Sequence, residues 1–361
     1  MAEFQVRKDD FTKYRIVEVA SAPELTDGAI RVKIERFAFT ANNITYAVTG
    51  DRLGYWQFFP PGGEDPDGWG MVPVWGFAEV VESKSDEVPV GDRLFGYFPP
   101  SDDLDMTPTR VTDQRIIDGA AHRAKLPPAY NSYSRVNAEP GYDRAMDNLR
   151  MLLWPLHITS FCLWDALQEN HWHGARQVVV VSASSKTGIG LAYALDDDPK
   201  APPAIAITSR RNLDFVEKLG LYQRSVTYEA LSDIDATIPT VIVDMSGNRE
   251  VLGRLHAHLG DNMKRCLNVG LTHWDDVNAG NGLIAERSEI FFAPSHIQQR
   301  LKDWGPDGFA RKTSSFMLQT AAKSQRWLKL RSIEGLEGLA DVYDDVCAGC
   351  MAPDQGLIIE L

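Results

Sequence analysis

The stretch VVVVSASSKTGIGLAYAL, Val178 to Leu195, sets a β-branched run against hydroxyl side chains, a lysine and two glycines. It reads as a buried strand passing through a tight turn into a helix. At such a turn the backbone N–H groups and the positive end of the helix dipole face the crevice, a field that suits a diphosphate. Glycines are favoured there because the backbone must approach the phosphates and the helix must pack close to the strand. The positions spaced by three are Ser184, Thr187 and Gly190, with Gly188 and Ile189 between them, so two of three expected glycines are replaced. The hydroxyls of Ser184, Ser185 and Thr187 can donate to phosphate oxygens, and Lys186 adds charge. These residues, Gly188 and Ile189 included, are the expected dinucleotide contacts. The competing reading is a turn that only joins strand to helix.

A second segment bears on which dinucleotide. The apolar strand ending in AITSRRN places Ser209, Arg210 and Arg211 where an acidic side chain would select a free ribose 2′-hydroxyl and basic ones accept a 2′-phosphate. The expected cofactor is therefore NADP(H), against the alternative of a solvated arginine pair. Further strands end in VIVDMSG and LNVGLTH, bringing Ser246, Gly247 and Gly270 toward the same sheet edge. Asp244 reads as a carboxylate satisfied by its own turn.

The elements that must position these residues follow from periodicity. QVVVV, AIAIT, SVTY, TVIVD, RCLNV and EIFF alternate with helical segments such as LDFVEKLG and EVLGRLHAHLG. Strands so continuously apolar are covered on both faces, which calls for a parallel sheet with crossover helices. LWPLHITSFCLWDALQEN precedes them as a helix. The first hundred residues have β character in RIVEVA, AIRVKIERFAF and GFAEVVES, whereas Ser101 to Met151 reads as polar and irregular. Between Gly50 and Gly76 lies an aperiodic loop rich in Gly, Pro and aromatics, whose rings either pack on the adjacent sheet or line a substrate cavity. The tail reads as a helix through SSFMLQTAAKSQRWLKL, a helix at GLEGLADVYDDVCAG and a strand GLIIEL.

The chain has 361 residues, 44% hydrophobic, enough for two domains. A net charge of -13 argues against a nucleic-acid partner, because phosphate backbones are held by clustered Lys and Arg. No apolar run approaches the length of a membrane span, and the expected location is the cytoplasm. Four scattered cysteines suit a reducing compartment. Cys347 and Cys350 form a CxxC without further ligands nearby or the strand-to-helix setting of a redox motif, so they read as ordinary thiols.

With these motifs in order, together with TYAVTG, VPVWGFAEVVES and VPVGDRLFGY, the chain resembles the medium-chain dehydrogenase/reductase superfamily over nearly its whole length. Its zinc-independent quinone oxidoreductases and enoyl reductases are the most similar group. The resemblance implies a Rossmann-type doubly wound α/β sheet at 154–294 and a β-rich, GroES-like substrate domain at 1–153 with 295–361. Catalytic zinc is not expected, since Trp75-Gly76-Phe77 stands where zinc-dependent members carry Gly-His-Glu and no cysteine precedes Cys162. Tyr46 is implied as a proton donor facing the nicotinamide, with Asn42 or Asn43 supplying the family's upstream asparagine. Tyr228 is implied beside the 2′-phosphate or else as a buried strand-end tyrosine, and Phe292 as a wall of the nicotinamide. His157 reads as a core histidine and Trp304 as interdomain packing. The expectation is an NADPH-dependent reductase of an activated C=C, quinone or carbonyl on a hydrophobic small molecule, forming a homodimer through SEIFFAP. The alternative is an inactive NADP(H)-binding sensor or partner module. A methyltransferase would want an acidic ribose ligand where arginines stand.

Overall fold

The computed structural model describes residues 1–20, 24–269 and 282–361. The chain forms two compact units, Met1–Pro155 with Trp327–Leu361, and Leu156–Arg326. The first contributes β1 (Ala2–Arg7), β2 (Tyr14–Glu18), β3 (Ile30–Phe39), α1 (Ala41–Val48), α2 (Gly50–Leu53), β4 (Trp69–Gly70), β5 (Val74–Ser83), β6 (Arg93–Phe98), β7 (Asp103–Met106), β8 (Pro108–Val111), β9 (Arg115–Asp118) and β10 (Ser132–Arg135). The chain passes into the second unit within α3 (Asp147–Glu169). There follow β11 (Gln177–Val181), α4 (Lys186–Asp197), β12 (Ala204–Thr208), α5 (Leu213–Leu219), β13 (Arg224–Thr227), β14 (Thr240–Asp244), α6 (Arg249–Leu259), β15 (Met263–Asn268), β16 (Ser288–Ile290) and α7 (Ala293–Ser324). The chain returns through β17 (Lys329–Glu334), α8 (Gly335–Cys347) and β18 (Gln355–Glu360).

Among the described residues, the second unit's sheet has the order β13-β12-β11-β14-β15-β16, every pair parallel. This is the doubly wound Rossmann order, with its switch point between β11 and β14. Alternate residues explain why the strands read as continuous apolar runs. Val178, Val180, Val241 and Val243 enter one core, while Val179, Val181 and Ile242 enter another on the opposite face. The first unit holds a small sheet, β2-β1-β4, and a larger one, β17-β18-β3-β5-β6-β10-β9-β8, with β7 beside β3. The Rossmann-type sheet and the β-rich unit are both as expected from sequence.

Several local expectations are corrected. Residues 103–135 are not irregular: β7 to β10 lie there, too short and polar to show a period. Lys329 and Leu330, assigned to a helix, begin β17. The second unit extends to Arg326, so 295–326 does not belong with the β-rich unit. The reason is α7, which breaks at Gly305 (φ 69°) before Pro306 and packs within its own unit. Arg300 donates to Glu169 (2.9 Å), the ring of His296 meets Asp165 (2.7 Å), and Trp304 packs against Phe161 of the same unit.

Candidate functional site

The cofactor turn is built by residues at the end of β11. Ser182 takes the left-handed conformation (φ 60°), which side chains other than glycine's rarely adopt. Ser185 caps α4, its Oγ accepting from Gly188 N at 3.0 Å. A Cβ on Gly188 would stand 3.1 Å from the Ser182 carbonyl oxygen and 3.3 Å from Ala183 Cα. The left-handed residue, the helix cap and the crowded glycine are thus Ser182, Ser185 and Gly188, also spaced by three and two residues ahead of Ser184, Thr187 and Gly190. Gly190 serves another contact, since a Cβ there would meet Ser160 Oγ at 2.6 Å and His157 Cδ2 at 2.7 Å. Small residues at both places let α3 and α4 approach closely.

The expected ligands divide accordingly. Ser184 is buried and its Oγ accepts from Thr208 Oγ1 (3.2 Å) and Asn212 Nδ2 (3.0 Å), so it ties the turn to β12. Ile189 is fully buried and packs. Lys186 and Thr187 lie half-buried in the first turn of α4, whose amides have no intrahelical acceptors. Two supports escaped the sequence: the Tyr222 hydroxyl donates to the carbonyls of Ala183 and Gly188, and Ser160 Oγ to that of Thr187 (2.7 Å). Only the small-residue spacing around Gly190 hinted at the latter.

At the end of β12, Arg210 and Arg211 are exposed, while the Ser209 hydroxyl is buried without a hydrogen-bond partner. Arg254 of α6, not nominated from sequence, reaches the Glu229 carbonyl (3.4 Å), and Arg210 and Arg254 both lie within electrostatic reach of the Glu229 carboxylate. Tyr228 hydrogen-bonds Ser182, and burial pushes its phenol up. Asp244 is buried at the end of β14. Its carboxylate accepts from Ser246 N, Ser246 Oγ and Gly247 N at 2.7–2.9 Å, and burial pushes it up to about 6. The Ser246 hydroxyl is thus committed to Asp244. Gly270 lies outside the described residues. Phe292 lines a cavity of about 350 Å³ with Phe291, Leu267, His173 and His296, at the β15–β16 edge and without a residue of the turn. His157 is a core histidine: it is fully buried, bonded to Thr320 Oγ1 (2.9 Å), and pulled down to about 3 by burial. Among the described residues no group of three or more His, Cys, Asp or Glu could hold a metal.

In the first unit, α1 carries Tyr46 and both candidate asparagines. Asn43 closes a capping box with Thr40, accepting from its backbone N (2.8 Å), and donates to the Pro73 carbonyl (2.9 Å). It is a structural residue. Asn42 lies one helical turn before Tyr46, on the same side of α1, and is among the groups that stabilise a charge on its phenol. Trp75 Nε1 donates to Tyr46 Oη at 3.4 Å. Around them pack Tyr55, Tyr97 and Tyr130, with Tyr46 and Tyr55 centroids 4.6 Å apart. Tyr55, Trp56, Phe58, Phe59 and Trp75 are nearly all covered and lie in the core of this unit, whereas Trp69 is half-buried beside Arg7 and Arg15.

A family model described as "Protein of unknown function (DUF2855)" matches residues 37–352. No curated protein matches the chain by sequence. Among solved structures, CurA from Vibrio vulnificus in complex with NADPH is 12% identical, aligns 96% of this chain with 94% of its own, and has a TM-score of 0.62. The CurF ER cyclopropanase of the curacin A biosynthetic pathway is 11% identical over 99% and 98% of the two chains (TM-score 0.58). Glucose dehydrogenase from Haloferax mediterranei is 15% identical over 100% and 99% (TM-score 0.52). At these identities the likeness is one of fold: a Rossmann-type sheet joined to a GroES-like β-rich domain.

Proposed function

The chain belongs to the DUF2855 family, and we propose that it is an NADP(H)-dependent, zinc-independent oxidoreductase reducing an activated C=C, quinone or carbonyl of a hydrophobic small molecule. One observation carries the reading: beside the strand-to-helix turn that opens α4, the end of β12 offers two exposed guanidiniums and an unpartnered buried hydroxyl, Ser209. An oxygen-rich, doubly charged group fits that set, because guanidiniums bind phosphate through several charged hydrogen bonds at once. The NADPH in the CurA structure supports the same cofactor. The first turn of α4, with Ser185 and Thr187, would hold the diphosphate, and Ser209, Arg210 and Arg211 the 2′-phosphate.

The cofactor, when bound, supplies hydride. The chain's own contribution is to hold it, exclude water and deliver a proton, for which Tyr46 is the candidate. Its phenol is buried, and burial favours the protonated form. Incubating the full chain with NADPH and a panel of enones and quinones tests the proposal: consumption at 340 nm is expected with at least one acceptor. Binding with no consumption across the panel would instead favour a sensor or partner module. We further propose a homodimer joined at the β16 edge, where Ile290 is exposed, which sedimentation would check.

A further inference from the structure

Four phenols, those of Tyr46, Tyr55, Tyr97 and Tyr130, are buried together in the first unit. They are not equivalent. The hydroxyls of Tyr55 and Tyr130 lie 3.1 Å apart, so each has the other as partner. Tyr97, paired across the sheet with Trp75, has a buried hydroxyl with no partner in hydrogen-bonding geometry. An unpaired buried hydroxyl is costly, and its proton can turn toward an acceptor. Of the four, only Tyr46 accepts a hydrogen bond from outside the phenol set, from Trp75 Nε1 on β5 at 3.4 Å, and Asn42 stands one turn before it on its own helix.

We propose that Trp75 Nε1, Asn42 and the Tyr97 hydroxyl form an anion cradle around the Tyr46 oxygen, making Tyr46 the proton-releasing phenol of the cluster and Trp75 a residue that positions it. Indole N–H is a donor only and cannot compete for the proton, so its hydrogen bond strengthens as negative charge develops on the phenol oxygen. In the transfer the Tyr46 O–H bond breaks, the proton bonds to the electron pair that hydride addition leaves on the substrate, and the O–H electron pair stays on the oxygen between the three donors. Reprotonation from solvent restores the phenol. The groups facing Tyr46 are Asn42 on α1, Tyr55, Trp75 on β5, and Tyr97 on β6, none of them charged at neutral pH. Burial pushes all four phenols up, Tyr97 and Tyr130 well above the usual range, and a charge on Tyr46 is among the causes for the other three.

The inference takes its chemical role from the proposed reductase, but its test needs neither cofactor nor turnover. A ring-fluorinated tyrosine, acidic enough to titrate below the range of alkaline unfolding, is placed at positions 46, 55, 97 and 130 in turn in the full chain. Its ionisation is then followed by absorbance. Position 46 is expected to ionise at the lowest pH. Trp75→Phe, which keeps an aromatic ring and removes the N–H, is expected to lower the acid constant at 46 about tenfold, as loss of a hydrogen bond to a developing charge does. Should Trp75→Phe fail to fold by circular dichroism, Tyr97→Phe, a single-hydroxyl deletion, is expected to act in the same direction. Ionisation at 46 no earlier than at 55 or 130, or an acid constant unmoved by the variants, overturns the cradle whatever becomes of NADPH. Conversely, a missing NADPH response with this ordering intact would count only against the reductase.

Discussion

The cofactor turn and the phenol cluster solve opposite problems. The turn presents polar groups outward: backbone amides, hydroxyls and exposed guanidiniums, held in shape by hydrogen bonds behind them, such as Tyr222 on the Ala183 carbonyl. The cluster seals polar groups inward, where each oxygen has few possible partners and each missing partner matters. A binding surface tolerates exchanged side chains as long as the backbone path survives, which is how Ser182 and Ser185 stand where glycines are usual. A buried phenol depends on which particular donor points at it.

The sharpest separation of the two regions is expected from Tyr46→Phe, which should lower turnover by about 10²–10⁴-fold while leaving NADPH affinity unchanged. Steady-state rates and calorimetric titration of one preparation check both halves, and an unchanged rate removes Tyr46 from the chemistry. Next in size, Arg210→Ala with Arg211→Ala should weaken NADPH by about 1–3 kcal/mol and leave NADH nearly unaffected. Equal losses would mean that the arginines do not read the 2′-phosphate. At the turn itself, Ser182→Val puts a branched side chain at φ 60° and should cost about 1–2 kcal/mol of stability, whereas Ser182→Gly should stay near the parent. Thermal melts that rank the two alike would refute the left-handed turn.

The smallest effect concerns pH. Burial holds His157 at about 3 and His256 at about 4, below the ordinary imidazole value near 6.5. Below that value the unfolded chain takes up protons that the native one does not, so this stability is complete above about pH 6.5 and is lost as pH falls toward 4. Asp244, pushed up to about 6, works the other way: its ionisation removes stability as pH rises from about 4 to 6. Melting temperature should drop on acidification below 6.5, and His157→Gln should remove about one proton from that dependence. A slope unchanged in the variant would show His157 to be protonated in the fold.

What could be read beforehand follows the same contrast. Parallel strands covered on both faces must be apolar throughout, so β11, β12 and β14 announced the sheet, and the strand-to-helix order announced the turn. The register within the turn was hidden, because only backbone angles distinguish Ser182 from Ser184. Rings such as Tyr55, Phe58 and Trp75 carry no period in sequence, and their burial emerges from contacts with Tyr46, Tyr97 and Tyr130, distant along the chain. Asn42 and Asn43 differ by one residue along α1 and so by about 100° around it. That rotation separates the asparagine on the phenol's side of the helix from the helix cap.

The central claim, that the turn and the arginines hold a 2′-phosphorylated dinucleotide, is tested most directly by calorimetric titration of the full chain with NADPH and with NADH. Saturable uptake of NADPH at one per chain, at least tenfold tighter than NADH, is the predicted result. No uptake of either, or equal affinity for both, would contradict it.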